Sequence, residues 1–303
     1  MAARNILFVV NRGSGNKDTD CESQIRNQLS DQAHINFDIF YPEWDHNPNE
    51  QLQQRIVQGQ FDTVVASGGD GTVRFVAKNI YGKQLKMGIL PTGSANGLAK
   101  NLNLPLKFKE ALQVITEGSV MPMSSITVNN EFCIHLADIG LNAAIVKRFE
   151  EQKRRGIVGY AQAFLNVFFK QAKVHGQIIA DGQRMSTMFY MLVFCNGTGY
   201  GTGLSINPLG KLYDHKFEVV SVEKLDFMEA MRLYWGQDKP SPVAATITSC
   251  REVSVHLARP VHLQVDGEYL KKTRVVKAYF NDLFIETYVP HSSVTNEQNP
   301  DSK

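Results

Sequence analysis

The chain has 303 residues with a formal net charge of +2, and 43% of its residues are hydrophobic and 20% charged. This length and composition describe a globular protein large enough for two domains, and the nearly balanced charge gives no reason to expect a nucleic-acid partner. No apolar run approaches the ~20 residues of a membrane span, the N-terminus lacks the plan of a signal peptide, and the four cysteines form no metal-binding or disulfide pattern. We therefore expect a cytoplasmic protein with reduced thiols.

The first 118 residues predict alternating strands and helices. Strands are predicted at 5–10, 35–40, 63–67 and 86–91, and helices at 17–30, 48–59, 73–80, from 98 onward and at 108–117. This β-α alternation predicts a parallel sheet with helices on both faces.

Turns rich in Gly, Ser, Thr and Asn follow three of these strands, at 11–16, 68–72 and 92–97. In an open parallel sheet such turns meet at the ligand-binding edge, where glycines let backbone N–H groups approach a phosphate. Three turns together favour a phosphate site over chance. Asp70, in the second turn, has two interpretations: it binds a metal on the phosphate, or it caps the helix that begins beside it.

The second half predicts mostly strands. They lie at 126–128, 131–136, 186–195, 216–222, 252–257, 261–265 and 273–286, with helices at 157–173 and 227–234. We expect an α/β domain over 1–122 and a β-rich domain over 123–290. The polar segment 291–303 has too few apolar residues to fold.

In their order, these motifs resemble the diacylglycerol kinase catalytic-domain family, which includes bacterial lipid kinases and sphingosine kinases and is distantly related to NAD kinases. The matching residues are Asn11 to Gly15, Gly68 to Thr72, Pro91 to Asn96, Asn196, Gly197, Gly201, Gly203, Pro208, Asp214 and Val265 to Glu268. The resemblance implies that the domain over 1–122 is doubly wound, Rossmann-like and ATP-binding, and that the last strand near 277–286 returns to it. It also implies that the domain over 123–290 is a β-sandwich that takes the lipid acceptor, with the active site in the cleft between the two.

The resemblance also implies roles for individual residues. Asp70 would bind Mg²⁺ or act as the base, Glu268 would be the general base for the acceptor hydroxyl, and Asp266 would support the base or the metal. By themselves Asp266, Gly267 and Glu268 could equally form an ordinary hairpin turn. The residues expected to bind ATP are Asn11, Arg12, Ser14, Gly15, Ser67, Gly68, Gly69, Gly71, Thr72, Thr92, Gly93, Ser94 and Asn96.

The chain departs from the family pattern at two positions. Gly97 stands where the commoner bacterial lipid kinases carry an aspartate, which weakens a diacylglycerol assignment more than a kinase assignment. His215 follows Asp214 where relatives carry a glycine, so Asp214 either binds a structural metal or shapes a turn. The glycine-rich segment 196–203 lines the acceptor site, acts as a hinge or is a plain flexible loop.

A mixed charge run at 147–155 precedes the Phe-rich segment 157–173. The default interpretation of the run is a solvated helix face, and a buried core helix is one of two equally consistent interpretations of the Phe-rich segment. The alternative is a basic rim beside exposed aromatic residues that would suit a transient contact with an anionic membrane surface.

The function expected from these observations is an ATP- and Mg²⁺-dependent lipid kinase of phospholipid metabolism, cytoplasmic and peripheral at the membrane. Its acceptor would be diacylglycerol or a sphingoid-type lipid. The sequence does not determine the oligomeric state, and a homodimer is one of the possibilities. The alternatives are an NAD kinase, which the residues Leu90 to Asn96 fit less well, and a catalytically idle nucleotide- or lipid-binding regulator.

Overall fold

The computed structural model describes residues 3–13, 20–151, 162–167, 170, 172–199, 206–208, 210–224 and 245–293. The chain divides into two compact units. Unit 1 comprises Met1–Met123 and Leu283–Lys303, and unit 2 comprises Ser124–Asp282.

Unit 1 is an α/β unit whose strands form one six-stranded sheet. Its strands are β1 (Arg4–Val10), β2 (Ile35–Phe40), β3 (Thr63–Gly68), β4 (Lys86–Pro91), β5 (Ser119–Met123) and β16 (Ile285–Val289). Its helices are α1 (Cys21–Leu29), α2 (Pro48–Gly59), α3 (Asp70–Ile80), α4 (Gly97–Asn101) and α5 (Phe108–Glu117). For residues 1–118 these bounds confirm the predicted pattern of strands and helices. The helix predicted from residue 17 is described from Cys21, where Asp20 accepts a hydrogen bond from the backbone N–H of Ser23.

The strand order β2-β1-β3-β4-β16-β5 is parallel except for β5, which pairs antiparallel with β16. Because the chain moves from β1 to β2 on one side and to β3 on the other, the winding direction changes between β1 and β3. Ligands of open α/β sheets bind beyond the carboxyl ends of the strands at such a switch point.

Central residues of β1 that point in opposite directions are buried, which indicates that both faces of this sheet are covered. Ile6 and Phe8 belong to a core with residues of α1 and α5, while Leu7 and Val9, on the opposite face, are also fully buried. Helix α3 contacts β3 and β4 and also packs on α2. The predicted doubly wound architecture is therefore confirmed.

Unit 2 is β-rich, and its strands form one ten-stranded sheet. They are β6 (Ile126–Val128), β7 (Glu131–Cys133), β8 (Leu136–Gly140), β9 (Val174–Ala180), β10 (Gln183–Phe189), β11 (Met191–Cys195), β12 (Phe217–Val222), β13 (Ala245–Cys250), β14 (Glu252–Val265) and β15 (Glu268–Phe280). Helix α6 (Leu141–Glu150) follows β8. Within the described residues, the core contains Phe164 of the helical segment 162–167, in one cluster with Val193 of β11.

Several boundaries predicted in unit 2 are wrong. The predicted strand 131–136 is interrupted, because β7 ends at Cys133 and β8 begins at Leu136. The predicted strand 186–195 is two strands that meet near Tyr190, and the predicted strand 273–286 is also two, since β15 belongs to unit 2 and β16 to unit 1. Conversely, the predicted strands at 252–257 and 261–265 are one long strand with a register shift.

Strands β5, β9 and β13 and helix α6 were not predicted as elements. The start of the charge run lies on the last turn of α6, where Lys147 and Glu151 form an ion pair at 2.8 Å, as expected for a solvated helix face. Residues 291–293 form a helical turn where an unfolded segment was predicted. The predicted helix 227–234, most of the predicted helix 157–173 and the segment 294–303 lie outside the described residues.

Candidate functional site

The loops that follow β1, β3 and β4 are brought together at the carboxyl edge of the unit 1 sheet. We call the segments 11–13, 68–72 and 92–97 the first, second and third loops. The first and second are joined by a hydrogen bond from Asn11 Nδ2 to Thr72 Oγ1 at 3.2 Å. The backbone N–H of Asn11 also donates to the carbonyl of Ser67 at the end of β3. These two loops therefore flank the switch point of the sheet.

The second and third loops approach so closely that only glycine fits at their contact. A Cβ placed on Gly93 would lie 2.3 Å from the Cα of Gly69, which is closer than real Cβ atoms come to any atom. A Cβ on Gly68 would lie 2.2 Å from the Thr72 hydroxyl. Gly93 is thus needed for the contact between the two loops and Gly68 for the shape of the second loop, and glycine leaves the backbone N–H groups open to the approach of an anion.

Asp70 joins the second loop to the helix that follows the third. Its two carboxylate oxygens accept the backbone N–H groups of Gly97 at 3.0 Å and Leu98 at 3.1 Å. Asp70 is therefore a cap, but of α4 and not of its own helix α3. Each carboxylate oxygen has a second lone pair, so the same side chain can also accept a cation or the water molecules around it.

Asn96 fixes the shape of the third loop. It adopts a left-handed backbone conformation with φ +51°, and its amide bonds within the loop, accepting the Gly93 N–H and donating to the carbonyls of Pro91 and Gly93. A small amide residue suits this position, because asparagine tolerates the left-handed region. The structure therefore gives Asn96 a role in loop shape, while ribose or metal binding stays a prediction.

Arg12 lies over the ring of Tyr41, with its guanidinium carbon 3.9 Å from the ring centroid. The Tyr41 hydroxyl donates to Glu22, which also accepts from Arg26. Burial, followed by the hydrogen bond to Glu22, raises the pKa of Tyr41. Tyr41 was not predicted as part of the site, although its position directly after β2 was a usable signal.

The other residues predicted to bind ATP lie in or next to the three loops. Ser67 is buried at the end of β3, and Gly71 lies in the first turn of α3 beside Asp70. Thr92 donates its backbone N–H to the Gly68 carbonyl, and Ser94 lies in the third loop. Ser14 and Gly15 lie outside the described residues.

The predicted carboxylates of unit 2 differ in their surroundings. Glu268 is the exposed first residue of β15. Asp266, two residues earlier, is only 8% exposed and is surrounded by backbone N–H groups. The difference in burial does not by itself assign a chemical role to either residue. The roles of Glu268 as general base and of Asp266 as support for the base or the metal therefore stay predictions.

Asp214 lies in the turn before β12 and accepts the backbone N–H of Lys216, as in the turn-shaping alternative. Across the part of the chain that the structure describes, His, Cys, Asp and Glu side chains form no group of three or more able to hold a metal ion.

Asn196 and Gly197 open the glycine-rich segment. Asn196 is buried and donates to the carbonyls of Ser124 and Ile134, so it ties the end of β11 to neighbouring backbone. Gly201 and Gly203 lie outside the described residues.

The four cysteines are all described, and all are free thiols. In the described segments, helices are all too short or too polar to cross a membrane.

Both parts of the chain match known protein-family models. The family model for the diacylglycerol kinase catalytic domain matches residues 5–128, and that for the YegS C-terminal NAD kinase beta sandwich-like domain matches residues 136–282. A probable lipid kinase YegS-like protein of Alcanivorax borkumensis is 22% identical over 76% of this chain and 80% of its own length. A diacylglycerol kinase of Staphylococcus aureus is 27% identical over 80% of this chain and 79% of its own length.

Solved structures show the same fold. A putative diacylglycerol kinase from Bacillus anthracis superposes with a TM-score of 0.76 at 18% identity, covering 96% of this chain and 97% of its own. An NAD kinase from Archaeoglobus fulgidus in complex with ATP gives a TM-score of 0.56 at 12% identity, with 96% of each chain covered. The two matches together extend over nearly the whole chain, with a diacylglycerol kinase catalytic domain followed by a YegS C-terminal NAD kinase beta sandwich-like domain.

Proposed function

We propose that the protein is an ATP- and Mg²⁺-dependent lipid kinase that transfers the γ-phosphoryl group of ATP to the hydroxyl of diacylglycerol or a sphingoid-type lipid. The observation that carries the proposal is the closure of three loops at the switch point of unit 1, through Asn11 with Thr72, Gly69 with Gly93, and Asp70 with α4. The names of the relatives support a lipid kinase, and the ATP in the NAD kinase structure supports the nucleotide.

The loops fit a polyphosphate because of what they present to it. Gly69 is the N-cap of α3, an eleven-residue helix, so backbone N–H groups and the positive end of a helix lie beside the second loop. Arg12 adds a charged guanidinium at the first loop. Stacking on Tyr41 orients it without neutralising its charge.

The fit to Mg²⁺ depends on Asp70. Magnesium binds through few protein carboxylates and keeps several of its waters, and Asp70 offers two oxygens held in place by α4. When bound, Mg²⁺ would neutralise charge on the β- and γ-phosphates. The chain's part is to hold Asp70 rigid, so that the cation site is preformed.

The remaining task is proton removal from the acceptor hydroxyl, which we assign to Glu268, with Asp70 as the other candidate. Glu268 is exposed on β15 and so accessible to an acceptor. A general base contributes about 10²- to 10⁴-fold to a rate. The lipid acceptor also implies work at a membrane surface, which makes the protein peripheral to the membrane in this proposal.

Label transfer from γ-radiolabelled ATP tests the proposal. The wild type, Asp70→Ala and Glu268→Ala would be given Mg²⁺ and a panel of diacylglycerol, sphingoid bases and phosphatidylglycerol in mixed micelles, with NAD in a parallel reaction. We expect label in a lipid with the wild type and loss of that label in both variants. Label in NAD alone would replace the proposal by an NAD kinase, and bound ATP without transfer to any acceptor would replace it by a regulator.

A further inference from the structure

Glu268 is held at the end of a tight hairpin between β14 and β15. Val265 pairs with Glu268, which leaves Asp266 and Gly267 as a two-residue loop with φ values of +48° and +85°. Positive φ at both loop positions is typical of a type I′ turn, whose twist matches that of the flanking strands. The position of the Glu268 backbone therefore depends directly on what holds Asp266 and Gly267.

The Asp266 carboxylate is engaged with the backbone between β7 and β8. Its oxygens accept the N–H groups of Ile134 at 3.0 Å, His135 at 3.0 Å and Leu136 at 3.1 Å. The backbone N–H of Asp266 donates in return to the Leu136 carbonyl at 2.8 Å. The turn is thus tied to a second segment of unit 2 through side chain and backbone together.

Two other hairpins of unit 2 use the same device away from the predicted catalytic residues. Asp181 and Gly182 form the two-residue loop between β9 and β10, with φ values of +45° and +80°, and Asp181 accepts the N–H groups of Arg251 and Glu252. Asn129 opens a third such loop and bonds the backbone of Val275 and Lys277. An Asp or Asn at the first loop position of these hairpins is therefore explained by its anchoring hydrogen bonds. No catalytic role is needed to account for it.

Gly267 has an anchor of its own. Its N–H donates at 2.8 Å to Oε1 of Gln264, and the other end of the Gln264 amide donates to the carboxylate of Asp138, which also accepts from Asn142. Asp138 is fully buried and Gln264 is 1% exposed, and they face each other across β8 and β14. A buried carboxylate therefore orients the glutamine that holds the turn.

We infer that Asp266 and Gln264 are positioning residues that hold Glu268 through its turn, and that Asp266 is neither a base nor a metal ligand in the reaction. This inference rests on the proposed function, because it concerns Glu268 as the base. It also distinguishes Asp266, whose buried carboxylate accepts three backbone N–H groups and the Cys133 thiol, from the exposed Glu268 beside it.

The test uses the 303-residue chain and three single-substitution variants of it. Asp266→Asn replaces one acceptor oxygen by a donor facing N–H groups. Gln264→Met keeps the side-chain length and removes both hydrogen bonds, which keeps the inference testable if Asp266→Asn does not fold. Asp181→Asn makes the same change in the matched hairpin and serves as the control.

Two readouts are taken for each variant. Steady-state transfer to the lipid acceptor gives kcat, the KM for ATP and the Mg²⁺ concentration for half-maximal activity. Hydrogen exchange reports on the backbone amides of 134–136 and 267–269. A displacement of about 1 Å at a reacting group lowers rates by roughly 10²-fold.

We expect Asp266→Asn and Gln264→Met to lower kcat by roughly 10- to 100-fold with unchanged KM for ATP and unchanged Mg²⁺ requirement. Exchange should accelerate at 267–269 in both, and at 134–136 in Asp266→Asn. Asp181→Asn should accelerate exchange near Arg251 and Glu252 and leave kcat unchanged.

An increased Mg²⁺ requirement in Asp266→Asn, with 134–136 still protected, would overturn the inference in favour of a metal ligand. A wild-type kcat in Gln264→Met despite rapid exchange at 267–269 would also overturn it. If the wild type itself phosphorylates no lipid, the proposed function fails instead, and the exchange results still accept or reject the anchoring.

Discussion

At the residue scale, the contact between Gly69 and Gly93 makes the sharpest demand on amino-acid identity in the candidate site. A Cβ on Gly93 would meet the Gly69 backbone at 2.3 Å, and backbone cannot move aside as a flexible side chain can. We expect Gly93→Ala to push the second and third loops apart and to weaken Mg²⁺·ATP binding about tenfold or more, as measured by isothermal titration.

Gly13→Ala is the companion variant, because its Cβ would make only an ordinary 3.4 Å contact with Asn11 Oδ1. It should have a far smaller effect than Gly93→Ala. Equal affinities for Gly93→Ala and the wild type would show that the loop closure does not serve nucleotide binding.

His262 gives a pH-dependent prediction. Burial, followed by the positive charges of Lys272 and Lys147, lowers the pKa of His262 to about 4 from its usual 6.5. The negative charge of Glu151 opposes this shift without cancelling it. Between pH 6.5 and about 4 the unfolded chain therefore binds a proton that the folded chain does not, so this residue destabilises the fold as the pH falls.

We expect the urea concentration at the midpoint of unfolding to decrease more steeply for the wild type than for His262→Gln as the pH falls from about 7 to about 4.5. The glutamine cannot titrate, yet its amide can still form a hydrogen bond with Tyr269, whose hydroxyl lies 3.2 Å from His262 Nδ1 in the wild type. Parallel pH profiles for the two proteins would show that His262 is protonated normally in the fold.

The three loops of the candidate site could be located from the sequence, but several hydrogen-bond partners of their residues could not. Asp70 was recognised from its glycines, whereas the partner of its carboxylate, the N-terminus of α4, lies 27 positions further on and follows another strand. Asp138 was missed although it is a lone carboxylate in the apolar strand β8, which is a readable signal of a buried polar network.

At the element scale, the junction between α5 and β5 depends on Gly118. A Cβ there would lie 2.5 Å from the Val114 carbonyl oxygen and 2.6 Å from that of Val289 in β16. We expect Gly118→Ala to lower the free energy of unfolding by about 1–3 kcal/mol, measured by urea denaturation. Its exposed neighbour provides the control, since Glu117→Ala should change that free energy by less than about 0.5 kcal/mol.

A Gly118→Ala loss no larger than that of Glu117→Ala would show that the close approach of α5 to β16 tolerates a Cβ at position 118. Among the elements, sequence patterns predicted the buried parallel strands of unit 1 best, because these strands are continuous runs of apolar residues. The elements they missed, such as β9 and β13, alternate or lie at a sheet edge, where polar residues weaken the signal.

At the scale of the whole molecule, unit 1 is completed by a strand from the far end of the chain. β16 lies between β4 and β5, and within the described residues β5 pairs only with β16. A fragment ending at Met123 would therefore leave β5 without its partner and β4 as an open edge.

The pairing of Met123 with Ile285 allows a direct test, because the two residues lie side by side on antiparallel strands. We expect residues 1–123 joined by a short turn to residues 284–293 to unfold cooperatively in urea, and residues 1–123 alone to unfold without a cooperative transition. A cooperative, equally stable fragment 1–123 would show that β16 is dispensable for unit 1.

The central claim is that unit 1 binds ATP and that Glu268 of unit 2 acts in phosphoryl transfer from ATP to a lipid. Single-turnover reactions with labelled ATP, in which bound nucleotide and labelled lipid are measured in the same sample, test it most directly. We predict that Glu268→Gln binds ATP like the wild type and transfers its phosphate at least about 10²-fold more slowly, while Gly93→Ala loses bound nucleotide and transfer together. Wild-type transfer rates in Glu268→Gln, or label in no lipid with the wild type, would contradict the account.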